Sequence, residues 1–191
     1  MNGGEPRSCA AMHNAGKSAA HHRTDDRWTR GLLFVYLLVL IWIVLFKFGV
    51  HFAYMDERAA QFVPYGGLLA GKQELDLSEI LLNVAIFVPL GLYLGYLYRQ
   101  RGYGWKLLLS FLLSLSLETT QYLFQIGAFD ATDLVNNTLG AAMGFLVSAA
   151  LLRAKPERGQ FYLNLVSTVA TVLMVAFLVS IRLGVGPIRY Q

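Results

Sequence analysis

Glu118, Gln121, Asp130, Asp133 and Asn137 fall in one short stretch of the chain, with Asn83 upstream and the cations Lys47 and Arg58 before it. Carboxylates and side-chain amides in this mixture support three kinds of chemistry. A carboxylate held away from water acts as a general acid or base, and Glu118 and Asp133 are the candidates for that role. Carboxylate and amide oxygens together suit a hard cation such as Mg²⁺ or Ca²⁺. The full set, Lys47, Arg58, Asn83, Glu118, Gln121, Asp130, Asp133 and Asn137, can instead form a receptacle that binds a polar ligand. No nucleophile–base motif and no His-Glu-x-x-His pattern accompanies them, so neither a cofactor nor a metal is expected. His13, His21 and His22 share no ligand spacing and read as part of a solvated tail.

The elements that carry these residues are membrane helices. Hydrophobic residues make up 55% of the 191 positions and charged ones 15%, against roughly 45–50% and about 25% in globular proteins. The apolar residues gather in runs over 31–50, 79–98, 105–126, 134–152 and 161–183. Each is close to the ~20 residues needed to cross ~30 Å of hydrocarbon. The expected fold is all-α, a bundle of about five transmembrane helices in one domain over residues 31–183. Residues 1–30 are rich in Gly, Ala, Ser, His and Arg without apolar periodicity, which predicts a disordered basic tail. Residues 184–191 form a short C-terminal tail. The first run is of full spanning length and no small-x-small cleavage site follows it, which favours an uncleaved anchor over a signal peptide. Cys9 is the sole cysteine, so no intramolecular disulfide is possible.

Lys and Arg set the orientation. Alternate non-spanning segments carry eleven against four, with Lys47 inside the first run. Positive residues collect on the cytoplasmic side, so the N-terminus is expected inside and the C-terminus outside. The net charge of +4 is accounted for by this asymmetry and the tail, and no nucleic-acid partner is implied. The lipid bilayer is the partner that the composition requires.

Helical phase then gathers the polar residues at the outer end. Ser110, Ser114, Glu118, Gln121 and Gln125 follow one another at steps of three or four and share a face. Ser116, Thr119 and Thr120 are expected to broaden that stripe. A short connection makes the helices before and after Asp130 antiparallel neighbours. Gly140, Gly144 and Ser148 form a small-residue ridge for close backbone approach, and Asn83, Phe87, Gly91 and Gly95 run along one face of the second helix. Pro89 removes one backbone hydrogen bond and crowds the carbonyl of Ala85. A polar cavity between the second, third and fourth helices, open to the outside, is the expectation. Each residue also has a structural role open to it. Thr132 or Asp133 serves as a helix N-cap and Asp130 as a turn residue. Glu118, Gln121, Asn83 and Asn137 stitch helices together, and Lys47 reaches for the interface.

Asn83-Val-Ala-Ile-Phe87-Val-Pro89-Leu-Gly91, Glu118-x-x-Gln121 and Phe129-Asp130-Ala-Thr-Asp133-x-x-Asn136-Asn137-Thr138-x-Gly140-x-x-x-Gly144 resemble the VanZ-like family. Leu45-Phe46-Lys47-Phe48 and the Arg58–Pro64 segment are similar to its earlier elements. Where many members have an Arg before the Phe-Asp element, this chain has Gly127-Ala128. The resemblance implies a bacterial cell-membrane protein. The family's named member is associated with low-level resistance to teicoplanin, a glycopeptide acting on lipid-linked cell-wall precursors outside the membrane. The corresponding expectation is a non-enzymatic envelope protein that recognises such a precursor, a glycopeptide or a partner. The alternatives are a membrane enzyme using Glu118 and Asp133 on a lipid-linked head group, and a small-molecule transporter. The last lacks the internal repeat many carriers show.

Overall fold

The computed structural model describes residues 7–46, 60–69, 71, 77–124, 126–155 and 158–182. Lys47, Arg58, Gln125 and the tail 184–191 lie outside the described residues. The chain runs α1 (Arg7–Phe46), β1 (Ala60–Gln61), α2 (Gly66–Leu69), α3 (Leu77–Leu97), α4 (Tyr103–Phe124), β2 (Phe129–Asp130), α5 (Ala131–Ala154) and α6 (Gly159–Arg182). Among the described residues, five helices contain segments long and apolar enough to cross a membrane: Asp26–Leu45, Leu77–Leu97, Tyr103–Phe124, Ala131–Ala154 and Gly159–Ala176. The protein is a multi-pass membrane protein with an all-α bundle. Helix α1 begins at Arg7, inside the segment expected to be disordered. That stretch holds Ala10, Ala11, Ala15, Ala19 and Ala20, the residue with the highest helix propensity, and it continues without a proline into the apolar run.

Helix α3 is the centre of the bundle. Over an 18-residue apolar stretch of α3, 61% of residues are buried, against 22% for the corresponding stretches of α4 and of α6. A helix that is apolar all round belongs in an interior. Ile86, Phe87, Leu90, Leu92, Tyr93, Leu94 and Tyr96 pack there with Tyr36, Leu40, Ile43 and Val44 of α1, Phe145 of α5 and Leu163 of α6. Leu108, Phe111 and Leu112 of α4 and Val172 and Leu173 of α6 stay exposed, as residues facing lipid do.

The tightest contact joins α3 to α5. A Cβ on Gly91 would collide with the Ala141 carbonyl, one on Gly140 with that of Val84, and one on Gly144 with that of Val88. The small-residue ridge therefore meets the backbone of α3, with Gly91 and Gly95 on the facing side. Such packing replaces hydrophobic attraction, which lipid removes, with close van der Waals contact and Cα–H···O interactions. Pro89 lies buried within an unbroken α3. It leaves the Ala85 carbonyl without its helical donor, and the neighbouring carbonyl of Ile86 accepts a hydrogen bond from the Tyr36 hydroxyl at 2.6 Å.

Two polar ties hold α1 at the other end of the bundle. Tyr96 donates to Asp26 at 3.0 Å. Thr29 donates to Asn164 at 3.1 Å and accepts from Gln160 of α6 at 3.1 Å.

Candidate functional site

At the end of the bundle formed by the N-terminal turns of α3 and α5 and the C-terminal turns of α1 and α4, a cavity of about 190 Å³ opens. Its walls come from Val44 and Leu45 (α1), Glu79 and Asn83 (α3), Glu118 and Gln121 (α4), the 126–128 turn with Asp130, and Asp133 and Asn137 (α5). All six described ligand-binding candidates line it: Asn83, Glu118, Gln121, Asp130, Asp133 and Asn137. The expected cavity lay between the second, third and fourth helices; the observed one also uses the first.

Local sequence explains how each side chain arrives. Asp130 is the N-cap of α5, its extended backbone (φ −124°, ψ 115°) leaving the carboxylate to accept from the Thr132 N–H at 2.6 Å. This satisfies one of the amides that a helix start leaves unpaired. Capping by Thr132 or Asp133 is thereby corrected: α5 starts three residues before the apolar run because Asp130 takes that place. Asp133, one turn into the helix, is left to reach across to α3, where its carboxylate accepts from the Asn83 side-chain amide. Glu118, 1% exposed, accepts from the backbone N–H of Asp130 at 3.2 Å. The carboxyl of α4 thus holds the loop that caps α5. Gln121 donates to the Val44 carbonyl at 2.8 Å, tying α4 to the end of α1. Asn137 donates to Ser114 at 2.9 Å.

The predicted stripe on α4 is narrower than expected. Ser110, Ser114 and Glu118 are buried, and Gln121 is half-buried. Ser116 and Thr119 lie on exposed faces. The hydroxyls of Ser116 and Thr120 bond back to the carbonyls of Leu112 and Ser116, both at 2.7 Å. A hydroxyl that finds its partner four residues back on its own helix needs no other helix, so these residues do not broaden the stripe.

The segment before α3 packs over the start of α5. β1 and β2 pair in parallel, Ala60 with Phe129 and Gln61 with Asp130, and the rings of Phe62 and Phe129 meet at 5.3 Å. The Gln61 amide donates to Thr132 at 3.2 Å and to Asp130 at 3.4 Å. Tyr65 sits at φ 55°, a left-handed conformation that costs a non-glycine residue about 1 kcal/mol. Two bonds to α5 hold it there: its N–H to Thr132 at 3.0 Å and its hydroxyl to Asn136 at 2.7 Å. Glu79, on the cavity wall, is not among the expected site residues. Glu79 is four residues before Asn83 and so on the same helical face, a signal that was available.

Among the described residues no three His, Cys, Asp or Glu side chains come together as a metal-holding group. The arrangement is a hydrogen-bonding receptacle rich in carboxylates, set in the end of a membrane-spanning bundle.

The fold and this site define a class: a small multi-pass membrane protein built around a polar cavity. The family model described as VanZ/LLP1 matches residues 33–153, so the chain belongs to the VanZ/LLP1 family. Protein VanZ of Enterococcus faecium is 37% identical to it over 120 residues, which cover 61% of this chain and 70% of that protein. No solved structure matches the chain.

Proposed function

We propose that the protein is a non-enzymatic component of the bacterial envelope that recognises the polar head of a lipid-linked cell-wall precursor. In this reading the N-terminus is cytoplasmic, following the excess of Lys and Arg in alternate segments, and the cavity faces the outside. The observation that carries it is the convergence of Asn83, Glu118, Gln121, Asp133 and Asn137, from three helices, on one cavity. Polar side chains at such positions cost free energy in hydrocarbon and mark a functional site by default. Size narrows the ligand. About 190 Å³ is well below the ~300–1,000 Å³ of sites for drug-sized ligands. A whole glycopeptide does not fit, whereas one small group of a membrane-anchored amphiphile does. The link to teicoplanin, taken over from the family, then runs through the precursor that the antibiotic acts on.

The test is teicoplanin susceptibility of a sensitive Gram-positive host expressing wild type, Glu118→Gln or Asp133→Asn at matched membrane levels. Protection by the wild type and its loss in both variants is the expected outcome. Equal protection by all three would remove the cavity from the function. Protection that vanishes on divalent-metal depletion would favour the enzymatic alternative, in which Glu118 and Asp133 act on the head group.

A further inference from the structure

We infer that the end of the bundle opposite the cavity holds an anionic glycerophospholipid, its phosphate against Lys106 and Arg101 at the start of α4 and its acyl chains along the exposed leucines that follow. This goes beyond the recognition reading above and does not depend on it. Charge is the first observation. The segments that meet at this end, 23–30, 98–106 and 153–159, carry nine Lys and Arg against three Asp and Glu. The segments 47–79 and 118–133, which carry the cavity, have three against eight. Arg27, Arg30, Arg101, Arg153, Lys155 and Arg158 are all exposed. Such an excess beside the end of a membrane span attracts anionic lipid.

Lys106 turns the general excess into a place. It is 4% exposed, so packing of its apolar stem fixes where the ammonium stands. Among the described residues no hydrogen bond or ion pair holds that ammonium, which lies 5.1 Å from the centre of the Tyr103 ring. It belongs to the first turn of α4, which contains no acid. The positive end of a helix dipole disfavours a cation and favours an anion, so an anion from outside the chain relieves both charges at once. Arg101 precedes the same turn, its guanidinium 5.9 Å from the centre of the Trp105 ring. Helix α5, antiparallel to α4 across the Asn137–Ser114 bond, brings Arg153 and Lys155 to this end.

The surroundings select a lipid over a soluble anion. The rings of Tyr98 and Trp105 meet at 5.2 Å, and both are exposed, as is Tyr103. Exposed Trp and Tyr at the end of a span mark the level of the head groups. Further along α4, Leu108, Leu109 and Leu112 present an exposed apolar face. An anion held at Lys106 thus stands at head-group depth beside a track for acyl chains. Phosphatidylglycerol meets both requirements. Phosphatidylcholine has the phosphate but cancels its charge within its own head group.

The experiment titrates the full chain, purified in a neutral detergent, with phosphatidylglycerol or phosphatidylcholine. Native mass spectrometry reads the bound lipid, and the unfolding midpoint checks that each variant is folded. Phosphatidylglycerol should bind at least about ten-fold more tightly than phosphatidylcholine, with the preference shrinking as salt rises. Arg101→Gln alters an exposed side chain and should weaken phosphatidylglycerol about five-fold. Lys106→Met keeps an apolar stem and should weaken it about five- to ten-fold. Neither variant should change the affinity for phosphatidylcholine. Lys72→Gln removes the same charge from the segment before α3 and should leave both affinities as they are. Equal affinity for the two lipids, or indifference of phosphatidylglycerol to both Arg101→Gln and Lys106→Met, would overturn the inference. If Lys106→Met does not fold, Arg101→Gln decides alone. Displacement of phosphatidylglycerol by equimolar glycerol 3-phosphate would also overturn it, since the ligand would then be a soluble anion. So would phosphatidylglycerol binding that appears only in Glu157→Gln, because the anion at the site would then be the chain's own carboxylate.

Discussion

Asp130 and Asp133 are one helical turn apart, yet they face different partners. Asp130 closes the start of α5 on the Thr132 N–H, and Asp133 receives the Asn83 amide of α3. Substitutions should therefore separate them. Asp130→Asn retains a capping oxygen and should leave thermal stability nearly unchanged. Asp130→Ala should lose about 1 kcal/mol, a fall of about 2–4 °C in unfolding midpoint for a chain of this size, measured on purified protein in detergent. A similar fall for Asp130→Asn would mean that its charge, not its cap, supports the fold. Tyr65→Phe should also destabilise, because it removes the bond to Asn136 that helps hold a left-handed residue in place. The polar positions Asn83, Glu118, Gln121 and Asn137 were legible from type and helical phase. Which acid would cap α5 was not, because Thr132 and Asp133 are equally good caps by residue type. The choice depends on where Glu118 and Gln61 hold the loop.

Among elements, the pairing of α3 with α5 is where single substitutions should be most damaging. Gly144→Val places a branched side chain against the Val88 carbonyl and the Gly91 backbone. Separating two helix backbones forfeits contacts along the whole interface, so the loss should reach about 3 kcal/mol or more. The control is Gly104→Ala in α4, where a Cβ meets nothing within 4 Å; it should be neutral or slightly stabilising. Comparable unfolding midpoints for the two variants would refute the backbone-contact account. Tyr36→Phe tests the interhelical bond to the Ile86 carbonyl and should cost about 1 kcal/mol, the scale of a hydrogen bond between membrane helices. The glycine ridge of α5 could be seen in the sequence as spacing. Its partner face on α3 could be seen only as Gly91 and Gly95, which alone did not say that the two ridges meet. The two-residue ladder of β1 and β2 had no sequence signature, being too short for an alternating pattern.

For the whole molecule, hydropathy alone was enough for the number of spans, and short turns were enough to make neighbours antiparallel. For orientation the chain supplies its own reporter. Cys9 is the single cysteine, so a membrane-impermeant maleimide should fail to label intact cells and should label the same protein after permeabilisation. Labelling of intact cells would invert the topology and turn the cavity toward the cytoplasm. The bounds of the first helix were the least legible feature. The basic tail dilutes apolar periodicity, while alanine propensity and continuity with the span extend the helix to Arg7.

The interlocked backbones of α3 and α5 also limit how anything enters. With Gly140 and Gly144 seated against the Val84 and Val88 carbonyls, these two helices cannot slide by a fraction of a turn without driving side chains into main chain. They form the fixed jamb of the cavity. On the function proposed above, opening of the cavity would fall to the opposite side, where α4 is mostly exposed and is tied to α1 by Gln121 on the Val44 carbonyl. Admission would come sideways, from within the membrane plane, through a gap opened between α1 and α4. A rocking cycle that exposes the site alternately to the two faces would have to break the α3–α5 contact, the tightest among the described helices.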